Sequence, residues 1–207
     1  MSDASAPPER DLIARRVAAF ERRRRDPDTL VPAAVAVTIV ARPAAAPAVL
    51  LTVRSGRLRA HSGQFALPGG RREPGEAPTE AARRELAEEL GVELGSEAVL
   101  GLLDDLPTRS GYLITPVVVW AGESPGLRPN PAEVAAVHEV PFADLDRPGV
   151  PRFTPSADPD RPLIAFPLLE TLVYAPTAAI LYQFREVALR GAATRVDHLE
   201  QPRFAWQ

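Results

Sequence analysis

The chain has 207 residues, a hydrophobic content of 45% and a formal net charge of −3 at pH 7. That length and apolar content suffice to bury a substantial core as one domain, and the charge gives no general basic field for nucleic acid. The sequence contains neither cysteine nor lysine, so all 24 basic residues are arginine. Disulfides, thiol nucleophiles, Cys-ligated metals, Schiff bases and a P-loop lysine are therefore excluded. Carboxylates remain as the main catalytic material.

The first thirty residues predict a disordered start followed by a helix and a linker. Residues 1–8 are polar and Pro-rich, which does not indicate a signal peptide. Within 9–30, helical spacing joins four apolar residues: Leu12, Ile13, Val17 and Phe20. We expect this helix to extend through 9–25 and to pack on the domain or on a partner subunit. The arginines at 22–25 are interpreted as solvated charge at the helix end, favoured by the helix dipole, rather than as a nucleic-acid site.

The middle of the chain alternates strand and helix signals. Six segments predict strands: 34–41, 48–53, 65–67, 99–103, 113–120 and 133–140. Two predict helices, 78–90 and 177–189, and the Pro-rich stretches 125–131 and 148–161 predict loops. Strands interleaved with helices indicate a single α/β domain over 31–190, with a mixed sheet between helices and a tail at 191–207.

The predicted helix 78–90 carries the most informative pattern in the chain. Pro78 suits the first helical position and Gly91 the residue just past the end. At about 100° per residue, three glutamates cover an arc of only about 100°. These are Glu85, Glu88 and Glu89. The apolar residues beside that arc, Ala82, Leu86 and Leu90, form the predicted buried stripe, so we expect the acidic arc to lie at the rim of a core.

An acidic arc of this kind suits a divalent cation. Like charges four residues apart cost a surface helix roughly 0.2–0.5 kcal/mol, and a bound cation reverses the sign of that interaction. Mg²⁺ or Mn²⁺ binds carboxylates together with waters and substrate phosphates, which suggests phosphate chemistry. Arg84 is placed to pair with a neighbouring carboxylate and to keep it ionised and oriented. Glu76 projects from the preceding loop, and the alternative interpretation is a solvated acidic face.

Nine positions between Gly70 and Val92 resemble the signature of the Nudix hydrolases. The positions that match are Gly70, Glu76, Arg84, Glu85, Leu86, Glu88, Glu89, Gly91 and Val92. The resemblance implies a Nudix-type α/β/α sandwich and metal-dependent hydrolysis of a nucleoside diphosphate derivative. It implies metal ligation by Glu85, Glu88 and Glu89, by the Gly70 carbonyl, and by Glu76 from its loop.

Residues 50–70, LLTVRSGRLRAHSGQFALPGG, resemble a second motif, that of the coenzyme A diphosphatase group. Ten positions match it: Leu50, Leu51, Thr52, Arg54, Ser55, Arg59, Gly63, Pro68, Gly69 and Gly70. The one departure is Leu67 where the motif has Phe, although Phe65 lies two residues away. The segments 103–118 and 174–181 are also similar to that group. The resemblance implies cleavage of coenzyme A or its derivatives to 3′,5′-ADP and 4′-phosphopantetheine, with substrate contacts from Arg54, Ser55, Arg59, Gly69 and Gly70.

Several alternatives stay open at this level. The general base is one of Glu85, Glu88 and Glu89, or Glu133 from outside the helix, although Glu133 also fits an ordinary strand-edge carboxylate. The same signature serves ADP-ribose, dinucleotide and nucleoside triphosphate hydrolysis, and a Nudix-like domain also serves as a ligand-sensing module without turnover. The intact set of glutamates favours an enzyme. We expect a cytoplasmic monomer or homodimer with a small-molecule substrate, and neither nucleic acid nor a membrane as partner.

Overall fold

The computed structural model describes residues 10–42, 45–56, 63–123 and 125–202. Its α-helices are α1 (Arg10–Ala19), α2 (Pro78–Leu90), α3 (Phe142–Asp146) and α4 (Thr177–Phe184), the last continuing into a π-helical turn (Arg185–Leu189). The strands before α2 are β1 (Val31–Ala41), β2 (Ala48–Arg54), β3 (Phe65–Ala66) and β4 (Gly69–Arg71). The strands after α2 are β5 (Val99–Leu102), β6 (Leu106–Pro107), β7 (Tyr112–Glu123), β8 (Val134–Pro141), β9 (Arg152–Thr154), β10 (Leu163–Leu168) and β11 (Thr171–Tyr174).

The main sheet is mixed, as the sequence predicts. Strand β1 pairs in parallel with β7 along its whole length and antiparallel with its neighbours on the other side. On that other side β1 contacts β2 at Ile39 and Val40 but contacts β4 at residues 33–35. Strand β2 turns away to pair with β3 and β8. The sheet therefore forks beside β1, and the gap of the fork leaves room for a cavity.

Helices cover both faces of this sheet, which confirms the predicted α/β/α sandwich. On one face α2 packs through Ala82, Leu86 and Leu90, all fully buried, against the small side chains of Ala34 and Ala36. On the other face α1 and α4 contribute to a larger core that also includes the three-stranded antiparallel sheet β9–β10–β11. None of the described helices is long and apolar enough to span a lipid bilayer.

Helix α2 begins and ends at the predicted residues. Pro78 is its first residue, and the Glu80 carboxylate accepts a hydrogen bond from the Ala77 N–H at 2.9 Å. Gly91 takes a left-handed conformation with φ of 67° and donates its N–H to the Ala87 carbonyl at 2.9 Å. A residue with a side chain is strained in that conformation, so the glycine ends the helix cleanly.

The first helix is shorter than predicted, ending at Ala19 and not at residue 25. Carboxylates capture the backbone that follows: the N–H of Arg23 donates to Asp104 at 2.7 Å and that of Arg25 donates to Asp105 at 2.9 Å. In an α-helix each of these N–H groups would donate to the carbonyl four residues earlier. Here they donate to buried carboxylates instead, so the helix does not continue.

The solvated interpretation of arginines 22–25 is wrong for Arg22, which forms an ion pair with the buried Asp105. Arg25 is exposed, as predicted, and pairs at the surface with Asp197 at 2.6 Å. These contacts hold the segment after α1 against the connection between β5 and β6 and against the C-terminal segment.

Three further predictions need correction. The predicted loop 148–161 contains β9, which pairs with β10 at Phe153 and Ile164. The predicted strand 65–67 stops before Leu67, which is buried in the core. Glu133 lies in the turn before β8 and not in the strand. The predicted disorder of 1–8 lies outside the described residues.

We predict that Asp105→Ala lowers the free energy of unfolding by about 2–4 kcal/mol, because it removes the acceptor of a buried donor and the partner of a charged group. The buried donor is the Thr115 hydroxyl, which donates at 2.6 Å, and the charged group is Arg22. The matched control is Asp197→Ala, which breaks the more exposed pair with Arg25 and should cost about 1 kcal/mol or less. Urea unfolding of both variants measures the difference, and equal losses would contradict the assignment.

Candidate active site

Two glycines separate α2 from the fork in the sheet. Gly69 and Gly70 belong to β4, which pairs with β1. A Cβ atom on Gly70 would collide with the Glu85 carboxylate, and one on Gly69 would collide with the backbone of Ala34 and Val35. A side chain at position 69 would push β1 away, and one at position 70 would displace the Glu85 carboxylate from its present place. The glycines of the signature loop therefore place Glu85 directly against the main chain.

The Arg84 guanidinium is the centre of the acidic cluster. It donates to Glu76 at 2.9 Å, to Glu85 at 2.8 Å and to Glu88 at 3.2 Å. Its remaining nitrogen donates to the carbonyl of Arg71 at 3.0 Å. The predicted pairing of Arg84 with a neighbouring carboxylate is thus present, and it joins α2 to the preceding loop.

Glu76 has a structural use as well as its predicted ligand role. Its two oxygens accept hydrogen bonds from Arg84 and, at 2.8 Å, from the N–H of Glu73. The Arg84 hydrogen bond is the main cause that lowers the pKa of the Glu76 carboxyl, so the group stays ionised. Glu76 holds Arg84 in place, and its ligation of a metal stays a prediction.

Glu89 is the most deeply buried acid of the cluster, with 5% of its surface exposed. Burial raises the pKa of the Glu89 carboxyl to about 7, against weak opposition from the Gly69 N–H, 3.5 Å away, and from the charge of Arg54. Burial also raises the pKa of Glu85, although the Arg84 hydrogen bond opposes the effect. Arg84 therefore does not fully keep Glu85 in its ordinary ionisation range. Glu88 is 55% exposed at its side chain and lies at the rim.

Glu133 reaches the same cluster from another part of the chain. The segment before it is tied to the end of α2, because the N–H groups of Arg128 and Asn130 donate to the carbonyls of Leu90 and Glu89 at 2.7 and 2.8 Å. The negative charge of Glu133 contributes to the raised pKa of both Glu85 and Glu89. It therefore faces the cluster, although its role as base stays a prediction.

A cavity of about 340 Å³ fills the fork of the sheet beside this cluster. Both glycines line it, and so do two arginines and several apolar side chains: Phe65, Leu67, Ile114 and Ile180. Arg54 enters from the end of β2, and no described residue provides a hydrogen-bond partner for its buried Nε. The structure therefore brings Arg54, Gly69 and Gly70 together. The N–H of the buried Ser55 donates to the Glu133 carbonyl at 2.8 Å, and Arg59 lies outside the described residues.

Two residues of the cavity were missed by the sequence analysis. The Arg71 guanidinium donates to the Tyr112 hydroxyl at 3.0 Å and lies 5.5 Å from the centre of its ring. Both side chains line the cavity, which gives it a second arginine. Arg71 directly follows Gly70 in the signature loop, which is the only signal that pointed to it. Tyr112 lies 41 residues from Arg71 along the chain, so no local pattern joins them.

The donor set fits a hard divalent cation, although the described residues contain no finished group of three metal-ligating side chains. Glu85 and Glu88 share the Arg84 guanidinium instead. Carboxylate oxygens beside a glycine backbone are what Mg²⁺ or Mn²⁺ binds. Burial already pushes Glu85 and Glu89 toward the neutral form, so a dication would relieve an excess of negative charge. Glu85, Glu88, Glu89 and the Gly70 carbonyl are the groups that would hold it.

Comparison with known proteins agrees with this geometry. The profile of the NUDIX domain matches residues 31–163. The uncharacterized Nudix hydrolase NudL of Photorhabdus laumondii is 42% identical over 113 residues, 54% of this chain and 59% of its own length. That of Yersinia enterocolitica is 40% identical, covering 56% of this chain and 58% of its own length. The chain thus spans about three-fifths of these relatives.

A solved structure shows the same fold. The MutT/nudix family protein of Enterococcus faecalis superposes with a TM-score of 0.53 at 21% identity, covering 76% of this chain and 62% of that protein. At that identity the likeness concerns the fold alone.

We predict that Glu89→Gln stabilises the metal-free protein at pH 8 by about 3 kcal/mol. The pKa of about 7 lies above the ordinary 4.5. The contribution of the neutral Glu89 carboxyl to the free energy of unfolding is therefore fully present below pH 4.5 and is lost as pH rises through 7. Glutamine keeps the shape without the buried charge. Urea unfolding between pH 4.5 and 8, in chelator, measures this. The exposed Glu88→Gln is the control and should change little, and a Glu89→Gln variant less stable than wild type at pH 8 would refute the prediction.

Proposed function

The chain belongs to the Nudix family, and from that premise we propose that it is a metal-dependent hydrolase of the pyrophosphate bond in coenzyme A or its derivatives. The products are 3′,5′-ADP and 4′-phosphopantetheine. The observation that carries the proposal is the double use of Gly69 and Gly70. They line the cavity of about 340 Å³ and also lie against Glu85 and Glu89 of α2.

The residues divide the work as follows. Arg84 orients Glu85 and Glu88, and Glu76 fixes Arg84. A divalent cation, when bound, would offset phosphate charge and make water more acidic. Water adds to one phosphorus, the bridging P–O bond breaks, and a carboxylate takes the proton. The candidates for that base are Glu85, Glu88, Glu89 and Glu133, each of which is either part of the acidic cluster of α2 or faces it.

Two features support coenzyme A as the substrate. Residues 50–70 match the coenzyme A motif at ten positions, and within the described part of that segment Arg54, Phe65 and Leu67 line the cavity. Phe65 and Leu67 both line the cavity, so the aromatic surface lost at Leu67 is supplied by Phe65. The buried Nε of Arg54, without a partner among the described residues, suits an anionic group. Other nucleoside diphosphate derivatives, among them ADP-ribose, NADH and nucleoside triphosphates, are the alternative substrates.

We predict phosphate-bond cleavage that requires Mg²⁺ or Mn²⁺ and prefers coenzyme A in a screen that includes ADP-ribose, NADH and nucleoside triphosphates. Glu85→Gln should lower kcat by about 10²- to 10⁴-fold with the fold intact, because it removes a ligand or base and keeps the shape. Product analysis by chromatography, with and without chelator, measures both effects. Full activity after exhaustive chelation, or wild-type turnover in Glu85→Gln, would refute the assignment.

We predict that Arg54, together with Arg59, reads the 3′-phosphate that distinguishes coenzyme A from dephospho-coenzyme A. A planar guanidinium holds such a dianion by paired hydrogen bonds, so kcat/KM should favour coenzyme A by about 10- to 150-fold. Arg54→Ala and Arg59→Ala should each lose that preference and leave the dephospho rate almost unchanged.

The control for this experiment is Arg42→Ala, which removes a surface arginine paired at 3.6 Å with Glu139. Because the charge of Arg54 lowers the pKa of Glu89, both rates are measured at pH 7 and at pH 9, which separates protonation of Glu89 from loss of the substrate contact. Equal losses on the two substrates would assign the arginines to the pyrophosphate. The absence of a preference in the wild type would refute recognition of the 3′-phosphate.

A further inference from the structure

One wall of the cavity is a turn, residues 107–112, that carries Ser110 and Tyr112. The turn has its own hydrogen bonds: the Thr108 N–H donates to the Tyr112 carbonyl at 2.7 Å, and the Tyr112 N–H donates to the Thr108 hydroxyl at 2.9 Å. Beyond the turn, Tyr112 holds the guanidinium of Arg71. The turn therefore carries two polar side chains of the cavity lining, Ser110 and Tyr112.

The outer side of the turn is held by residues more than ninety positions away. Gln201 accepts the Arg109 N–H at 3.1 Å and donates its amide to the Pro107 carbonyl at 3.1 Å. Glu200 accepts two hydrogen bonds from the Arg109 guanidinium, at 3.2 and 2.9 Å. Main-chain and side-chain groups of the turn are thus both fixed by the C-terminal segment.

That segment is itself anchored to the fold. The N–H of Glu200 donates to the Pro162 carbonyl at 2.9 Å, and Leu199 is buried. The Glu200 carboxylate also pairs with Arg161 at 3.2 Å. The Arg109 hydrogen bond is the main cause that lowers the pKa of Glu200 to about 2, so the carboxylate is ionised at any working pH.

We propose that Glu200 and Gln201 are positioning residues for the substrate cavity, acting through Arg109 and the turn 107–112. The proposal rests on the proposed function, because the cavity must be the place where a substrate binds. It concerns binding and not bond cleavage. The ends of the turn stay in the sheet, because Pro107 pairs with Leu113 and Tyr112 pairs with Val31 of β1. The backbone of Arg71, which Arg84 contacts, is likewise fixed by pairing with Ala33 of β1, so the carboxylates keep their support when the tip of the turn loosens.

The test compares two arginines that share one carboxylate. Arg109→Ala removes the link between Glu200 and the turn, whereas Arg161→Ala breaks a pair with the same Glu200 and leaves the turn attached. We expect Arg109→Ala and Gln201→Ala to raise KM about three- to tenfold with kcat nearly unchanged. Arg161→Ala should keep the wild-type KM. Hydrogen exchange at the amides of Gly111 and Tyr112 should become faster in Arg109→Ala and not in Arg161→Ala.

The outcomes separate this proposal from the proposed function. Lack of turnover by the wild type on every compound of the screen would refute the hydrolase assignment. The positioning role would then be judged by the dissociation constant for 3′,5′-ADP, measured by calorimetry, together with hydrogen exchange. Unchanged KM, binding and exchange in Arg109→Ala would refute the positioning role alone, as would equal changes in Arg161→Ala. If Arg109→Ala fails to fold, Arg109→Lys replaces it, and a wild-type KM together with a wild-type exchange rate in that variant would also overturn the proposal.

Discussion

The whole site depends on burying carboxylates of α2 next to one guanidinium. Glu85 and Glu89 are pressed against β4, where burial penalises their charge. Arg84 offsets part of that penalty by contacting three carboxylates and a carbonyl at once. A planar fork of donors serves this purpose better than an ammonium group would, since it reaches several acceptors in fixed directions. Arg84 thereby holds the cluster together, but its single positive charge does not balance the negative charges of the carboxylates around it.

That shortage of positive charge links stability to chemistry. In the metal-free protein, a buried Glu89 with a pKa of about 7 is costly to ionise within the fold, and a cation bound beside it would favour its charged form. A sequence optimised for stability alone would replace Glu89 with a neutral residue of similar volume. Retention of the acid is the kind of local conflict that marks a functional site.

The sequence predicted the local parts of this arrangement and missed the parts that depend on distant segments. Helix α2 matched its predicted bounds because Pro78, Glu80 and Gly91 fix its ends through contacts within a few residues of the chain. Helix α1 ends before residue 25 because buried Asp104 and Asp105, some eighty residues away, accept the N–H groups of Arg23 and Arg25. Arg71 and Tyr112 were missed for the same reason, as only the folded sheet brings them together. Pairing between distant residues leaves no spacing pattern to read.

The same division explains why the chemistry of this chain is easier to infer than its substrate. The acidic cluster is built almost entirely from residues 69–89, a continuous segment whose spacing is set by one helix and one loop. The cavity wall is assembled from segments that include Arg54, Tyr112 and Ile180, which lie on three different parts of the sandwich. The cavity lining shares only Gly69, Gly70 and Arg71 with the segment 69–89. A substitution elsewhere in that lining leaves the segment of the acidic cluster unchanged, and such a separation is what allows one fold to serve one reaction on different substrates.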